Sequence, residues 1–226
     1  ISHGLGVAPE MIIIKARDGR AYSDYYAEDN WYVWHKGLTS GSSINLNYNT
    51  GEVDYSEYST EPISSVNSST FTVCNSVDYE DYYYDFTNWG DPYGYYTGDN
   101  ERYVAYVFSG VEGFSKFGTY EGNNNANGPF IYCGFRPSWI MTKRIDGTSS
   151  WAIVDTARDP HNDTDKTLAS ELSLAESSFS SSADFDILSN GFKIRHTTSN
   201  GYSNAADTHI FAAFSSSSPF KYANAR

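Results

Sequence analysis

The chain has 226 residues, a formal charge of −13, 39% hydrophobic and 17% aromatic content, and only 19% charged residues. That is material for one large all-β domain or two small ones, and the acidity excludes sequence-independent attachment to a phosphate backbone. The charge is lopsided: residues 1–128 hold 18 acidic and 6 basic side chains, residues 129–226 hold 10 and 9, and no Lys or Arg stands between Lys36 and Arg102.

Along the chain, short aromatic or β-branched runs alternate with Gly, Asn, Ser and Pro, the pattern of strands and turns. The first is GVAPEMIIIKARDG at 6–19, a strand over 11–15 closed by an Asp-Gly hairpin turn. Further strands are expected over 31–34, 43–48, 71–77, 103–108, 114–120 and 130–133. GFRPSWIMTKRIDG at 134–147 then repeats the opening motif 128 residues on, with its strand over 139–143. Strands over 151–154, 192–195 and 209–214 follow. Residues 166–177, KTLASELSLAES, read either as a helix or as a strand pair around Glu171.

The opening match is one of four, in one order. WYVWHK at 31–36 answers to WAIVDT at 151–156, FTVC at 71–74 to FDIL at 185–188, and YVAYVF at 103–108 to HIFAAF at 209–214. The offset falls from 128 to 120, 114 and 106 residues, so the first copy carries the longer loops. An ordered series of this kind is the mark of an internal duplication. The expected fold is all-β: two tandem related antiparallel β-sandwich modules, jelly-roll or lectin-like, over residues 1–113 and 114–226. A single closed sandwich with one half-sheet from each copy is the alternative. No apolar run approaches the roughly 20 residues of a membrane-spanning helix. With neither an initial Met nor a signal-like stretch, the chain is expected to begin at a processed end or inside a longer polypeptide. Cys74 and Cys133 either pair or stay as two buried thiols; their positions leave both open.

The largest insertion, residues 78–100, is the richest functional candidate. DYEDYYYDFTNWGDPYGYYTGDNE at 78–101 packs seven acids, seven tyrosines, a Phe and a Trp without one Lys or Arg. Rigid rings beside hydrogen-bond acceptors suit a sugar's C–H face and hydroxyls, or a protein interface. Tyr82, Tyr83, Tyr84, Trp89, Tyr93, Tyr95 and Tyr96 are the candidate recognition or assembly residues. Three consecutive tyrosines cannot share one face of a strand, so at least one ring is expected to leave its own core. Calcium is the cation that the carboxylates of 78–99 and of DTARDPHNDTDK at 155–166 would suit. Neither run has the twelve-position EF-hand pattern, and Asp163 with Asp165 reads more simply as a solvated turn. The five histidines show no metal-ligand spacing, no serine sits in a nucleophile-elbow sequence, and GLG at 4–6 opens no helix. No catalytic or cofactor-binding residue is expected. Trp31, Trp139 and Trp151 read as core or rim aromatics, and Lys15 and Lys143 as strand ends before Asp-Gly turns.

GLGVAPEMIIIK at 4–15, WYVWHKG at 31–37, GFSKFGTYEGN at 113–123, WAIVDTAR at 151–158, LSNGFK at 188–193 and SPFKYANAR at 218–226 together span the whole sequence. As a set they resemble an uncharacterised domain family common at the C-terminal end of tail-fibre-like and other virion structural proteins of tailed phages, often marine. The resemblance implies a non-enzymatic component on the virion exterior, in a tail fibre or tail-associated spike. Its partners would be other virion subunits and a host-surface glycan or protein, in a homo-oligomer, by analogy a trimer. A structural decoration or filament-forming protein without a receptor is the contrasting class, and a glycan-cleaving depolymerase a third. In such proteins ISHGLGVAP usually follows an earlier strand of the same module. The insertion at 78–100 is longer than the loops typical of the family.

Overall fold

The computed structural model describes residues 1–17, 30–55, 63–73, 103–178, 184–196 and 202–216. Every regular element among them is a strand, and every strand pair is antiparallel. No helix long and apolar enough to cross a membrane occurs among the described residues. The chain divides into two compact units: residues 1–45 with 52–108, and residues 46–51 with 109–226.

Among the described residues the first unit holds seven strands: β1 (Met11–Ala16), β2 (Tyr32–His35), β3 (Ser42–Asn45), β4 (Val53–Asp54), β5 (Ile63–Ser64), β6 (Thr72–Val73) and β7 (Tyr103–Phe108). Its main sheet runs β4-β3-β2-β1-β7, and β5 pairs with β6. The isoleucine run of β1 favours an extended backbone because branching at Cβ restricts χ1 and packs well on a pleated surface. Ile12 and Ile14 lie on one face of β1 and are buried with Ile63 and Phe71, flanked by Trp34, Val73 and Val107. Met11 and its cross-strand partner His35 are buried on the other face.

The second unit holds β8 (Ser115–Glu121), β9 (Phe130–Tyr132), β10 (Trp139–Arg144), β11 (Ala152–Asp155), β12 (Lys166–Thr167), β13 (Ser177–Ser178), β14 (Phe185–Leu188), β15 (Gly191–Ile194) and β16 (Thr208–Phe214). One sheet runs β11-β10-β16-β8, a second β14-β15-β9, and β12 pairs with β13. A single cluster draws Tyr120, Ile140, Val154, Phe211 and Ala213 from the first of these sheets and Ile131, Phe185, Ile187, Phe192 and Ile194 from the second. Phe192 meets Phe211 edge-on, with ring centroids 5.5 Å apart, a geometry the ring quadrupoles favour. Close approach fixes several glycines here; a Cβ on Gly191 would sit 2.1 Å from the Ile131 carbonyl oxygen, and one on Gly118 2.9 Å from the Phe211 ring on the neighbouring strand.

The two units repeat each other strand for strand at their centres. β1 lies between β2 and β7; β10 lies between β11 and β16. Met11 faces His35 and Phe108, and Trp139, 128 residues later, faces Asp155 and Phe214. Those partners are offset by 120 and 106 residues, the offsets at which the sequence motifs recur. Gly6 and Gly134, also 128 apart, both adopt positive φ, +74° and +84°.

One open reading resolves to its strand-pair alternative around Glu171, and one expected strand is shorter than read. Residues 166–177 form no helix: Leu168 and Ile153 exchange backbone hydrogen bonds at 2.9 Å in both directions, and Lys166–Thr167 pairs with Ser177–Ser178. Cross-strand pairing satisfies the backbone there, and Ser170 bonds the Leu46 carbonyl at 2.6 Å instead of turning a helix. The strand expected over 43–48 stops at Asn45, because residues 46–51 belong to the second unit.

Candidate functional site

Tyr82, Tyr83, Tyr84, Trp89, Tyr93, Tyr95 and Tyr96 all lie outside the described residues. The structure places the described residues that flank their segment in sequence. Val73, at the end of β6, and Tyr103, at the start of β7, are the nearest described residues on either side, and both line one cavity of about 640 Å3 in the first unit. Its other described walls are Ile1, Ser2, His3, Ile14, Phe71, Ala105 and Val107. Three of them, Tyr103, Ala105 and Val107, alternate along one face of β7. The polar groups at its mouth are held in place. The amino group of Ile1 donates to the Phe71 carbonyl at 2.6 Å, and the His3 ring stacks on Phe71 at 6.3 Å. The described walls are mixed, with apolar side chains of β1, β6 and β7 beside the polar atoms of residues 1–3.

The acidic run at 155–165 is a set of self-contained turns. Burial alone would raise the Asp155 carboxyl, but Arg158 bonds it through backbone and guanidinium, at 2.8 and 2.5 Å, and the net effect is below the usual range. Asp159 accepts from the backbone of Asp165 at 3.0 Å. Asp184 is pushed up to about 6, first by burial and then by the charges of Asp163 and Asp165. Among the described residues, no three His, Cys, Asp or Glu side chains converge where a metal ion would sit. Asp163 and Asp165 bring two carboxylates near one another, close enough for their charges to act on the Asp184 carboxyl as well.

Two charged or titratable groups that local sequence marks only as strand ends are buried. Lys143 is 0% exposed; its Nζ donates to the carbonyls of Arg144 at 2.9 Å and Asn49 at 3.3 Å. Burial lowers its pKa to about 8, with Arg144 acting in the same sense and Glu171 opposing. His209, also 0% exposed, donates from Nδ1 to the Asp207 carbonyl at 2.9 Å and stacks on Tyr120 at 4.9 Å. Burial lowers it to about 4, so the ring is neutral, with Nε2 buried and unpartnered. Tyr120 donates its hydroxyl to the Ser203 carbonyl at 2.7 Å, and burial raises its pKa. Alternation places Lys143 beside Met141 and Trp139, away from the Ile140 and Thr142 face. What sequence could not supply is the cover from residues 46–51 that closes over it.

Cys133 is a free, buried thiol that burial pushes up to about 12, and its candidate partner Cys74 lies outside the described residues. Trp151 is fully buried, as expected of a core aromatic, while Trp31 stacks on exposed Tyr106 at 6.4 Å. Asn204 is a positioning residue that no motif announces. Its side chain bonds the backbone of Asn123, Asn125 and His196, fixing the asparagine-rich turn between β8 and β9.

The described strands define an all-β protein whose two units share a three-strand arrangement, β2-β1-β7 and β11-β10-β16, with a cavity beside β7 in the first. The chain belongs to the family described as Domain of unknown function (DUF7483), whose model matches residues 1–218. No curated protein and no solved structure matches it.

Proposed function

We propose that this chain is a non-enzymatic exterior virion protein, a tail-fibre or spike component in which the tyrosine-rich insertion contacts a host-surface glycan or a neighbouring subunit. The finer architecture of this reading is a pair of tandem related β-sandwich modules over 1–113 and 114–226. One observation carries it: between β6 and β7 a strand framework that otherwise recurs in register is interrupted by residues 78–100. Fixed frameworks carrying one elaborated loop are how binding surfaces are commonly built. The rings of Tyr82, Tyr83, Tyr84, Trp89, Tyr93, Tyr95 and Tyr96 supply stacking area, and the neighbouring acids supply acceptors. Resemblance to virion tail proteins supports the location and a homo-oligomer, by analogy a trimer.

A second reading, scaffolding without a receptor, has the rings of residues 78–100 meet other copies of the chain, and β9 adds to that surface. Phe130 is 45% and Tyr132 62% exposed on the same face of that edge strand. Neighbouring apolar rings on an edge strand are suited to coverage by another subunit.

The test is deletion of residues 78–100 with an Asn-Gly closure, followed by thermal unfolding, host-cell binding and particle assembly. The adhesion reading expects an unchanged melting temperature with binding lost; the scaffolding reading expects assembly lost. Intact binding and assembly with a collapsed melting temperature would reject both and make the rings part of the core.

A further inference from the structure

Asn-Gly occurs at 127–128, 190–191 and 200–201, and the last of these pairs lies outside the described residues. An asparagine amide beside glycine is open to attack by the glycine's main-chain nitrogen, because no Cβ shields that atom and the backbone there turns freely. Asn127 and Asn190 are both exposed, but their glycines differ in setting. Gly191 is a strand residue paired on both sides, with Leu188 and with Tyr132, so the sheet fixes its backbone. Gly128 precedes β9 and belongs to no strand. A Cβ on Gly128 would sit 2.5 Å from the Ile194 carbonyl oxygen, so the turn admits only glycine there. The amide of Asn127 is also engaged. Its Oδ1 accepts from the Lys193 ammonium at 2.6 Å, its main-chain N–H donates to Asn125 Oδ1 at 2.8 Å, and its carbonyl accepts from Asn123 Nδ2 at 3.2 Å. Lys193 stands between Phe130 and Asp186 in its sheet. Asp186 pairs with Arg195 at 3.2 Å, while the ammonium is turned to the amide.

We propose that Asn127 is a site of spontaneous modification, converted by Gly128 and water to an aspartate whose carboxylate pairs with Lys193. The Gly128 nitrogen bonds to Cγ of Asn127 and gives up its proton. The Cγ–Nδ2 bond breaks, ammonia leaves with that proton, and a cyclic imide closes without any oxidant or reductant. On the way, negative charge gathers on Oδ1, the atom the ammonium already touches, so this contact strengthens as the ring forms. Water then opens the imide. Addition at Cγ breaks the new Cγ–N bond and leaves aspartate in a normal main chain. Addition at the main-chain carbonyl carbon of residue 127 breaks the peptide C–N bond instead and leaves an isoaspartate, with an extra carbon in the main chain. The fold discriminates between them. Aspartate keeps the turn and exchanges a hydrogen bond to Lys193 for an ion pair. Isoaspartate pushes Gly128 along the chain, where the Ile194 carbonyl blocks it, and strains the bond from Ile194 N to the Pro129 carbonyl at 3.1 Å. The folded chain thus favours aspartate, the product that unstructured Asn-Gly segments form less. The inference is independent of where the protein acts.

The experiment incubates the whole chain at mildly alkaline pH, with and without urea, and follows its proteolytic peptides by liquid chromatography and mass spectrometry. In the folded chain, conversion at Asn127 is expected to outrun conversion at Asn190, with aspartate exceeding isoaspartate at 127. In urea the two sites are expected to converge in rate and isoaspartate to prevail at both, an arm that needs no variant to fold. Lys193→Met is expected to slow conversion at Asn127 about fivefold, the upper end of what an exposed ionic contact is worth, and to leave Asn190 unchanged. Lys193→Arg, which keeps the cation, is expected to retain most of the rate. Conversion at Asn127 no faster than at Asn190, an excess of isoaspartate at 127 in the folded chain, or a rate indifferent to Lys193→Met would each overturn the proposal. So would loss of ammonia with Asn127 and Lys193 recovered in one cross-linked peptide, since the lysine amine would then be the attacking nitrogen.

Discussion

β16 and β7 hold corresponding places in the two units, each beside the central strand of its sheet, and they differ in what covers them. β16 sits between two neighbours with its core face filled by Phe211 and Ala213; β7 ends its sheet over a hollow beside Ala105. The lesson is that pairing register outlasts packing. Register follows from backbone alternation and a buried face, and the offsets of 128, 120 and 106 residues hold although Ala105 stands where the second unit has Phe211, Ile14 where it has Thr142 and Tyr103 where it has His209.

The sharpest way to break that comparison is to exchange the side chains that distinguish the strands. Phe211→Ala should cost about 3–5 kcal/mol in urea unfolding, as loss of a buried ring leaves a cavity that closes incompletely. Ala105→Phe should change stability by less than about 1 kcal/mol, because it enters open volume. Similar costs at the two positions would mean that the hollow beside Ala105 is not a property of the folded chain in solution.

Lys143→Met probes the covered face of β10, and the sign depends on pH. Below pH 8 the amine is protonated whether folded or unfolded, and the burial penalty is fully present. Between about 8 and 10.5 the unfolded chain holds more protons, so the unmodified protein gains stability relative to the Met variant as pH rises. The expected gain is about 2 kcal/mol, measured as the difference between two urea titrations at pH 7 and pH 10. A constant difference across that range would show that the amine is not held in a dry site.

Gly6→Ala and Gly134→Ala should each cost about 1–2 kcal/mol, since both place a Cβ on left-handed backbone. Matching losses in melting temperature would sharpen the equivalence of the two turns that lead into β1 and β10; a loss at only one would limit the repeat to the strands. Asp184→Asn is the smallest effect. The counterpart of Asp184 in the first copy is the uncharged Thr70, and burial beside Asp163 and Asp165 holds the Asp184 carboxyl near 6. The folded state therefore binds the proton more readily, and the penalty is complete above pH 6 and absent below about 4. Solvent still reaches this side chain and screens it, so the Asn variant should gain only about 1 kcal/mol at pH 7 and none at pH 4, by thermal unfolding at the two values.

Much of the framework was legible in the sequence because β-branched and aromatic runs bounded by turn residues encode strand identity locally. MIIIKA, YVAYVF and WIMTKR were each expected within a residue or two of their bounds in the structure. KTLASELSLAES was ambiguous for a physical reason: leucines spaced for a helix compete with backbone pairing to Ile153, and a tertiary partner decides. Lys143 looks like a plain strand end because nothing near it in sequence announces Asn49, 94 positions earlier, as its acceptor. The cavity escaped for the same reason, since a hollow is the side chain that a neighbouring strand does not supply. The expected tyrosine cluster lies outside the described residues, so its candidate role rests on composition and on where its two ends stand.

Residues 46–51 leave the order of the gene behind. They are translated between β3 and β4, yet they count among the residues of the second unit, where the Asn49 carbonyl accepts from both Ser149 N and Lys143 Nζ. No single scission therefore yields both units whole. A fragment starting at Ser109 would leave those two donors without the acceptor at Asn49, and its complement would carry six residues whose neighbours are gone. An exchange of one half of the sequence for another would have to carry a matching hexapeptide with it to keep the Asn49 acceptor.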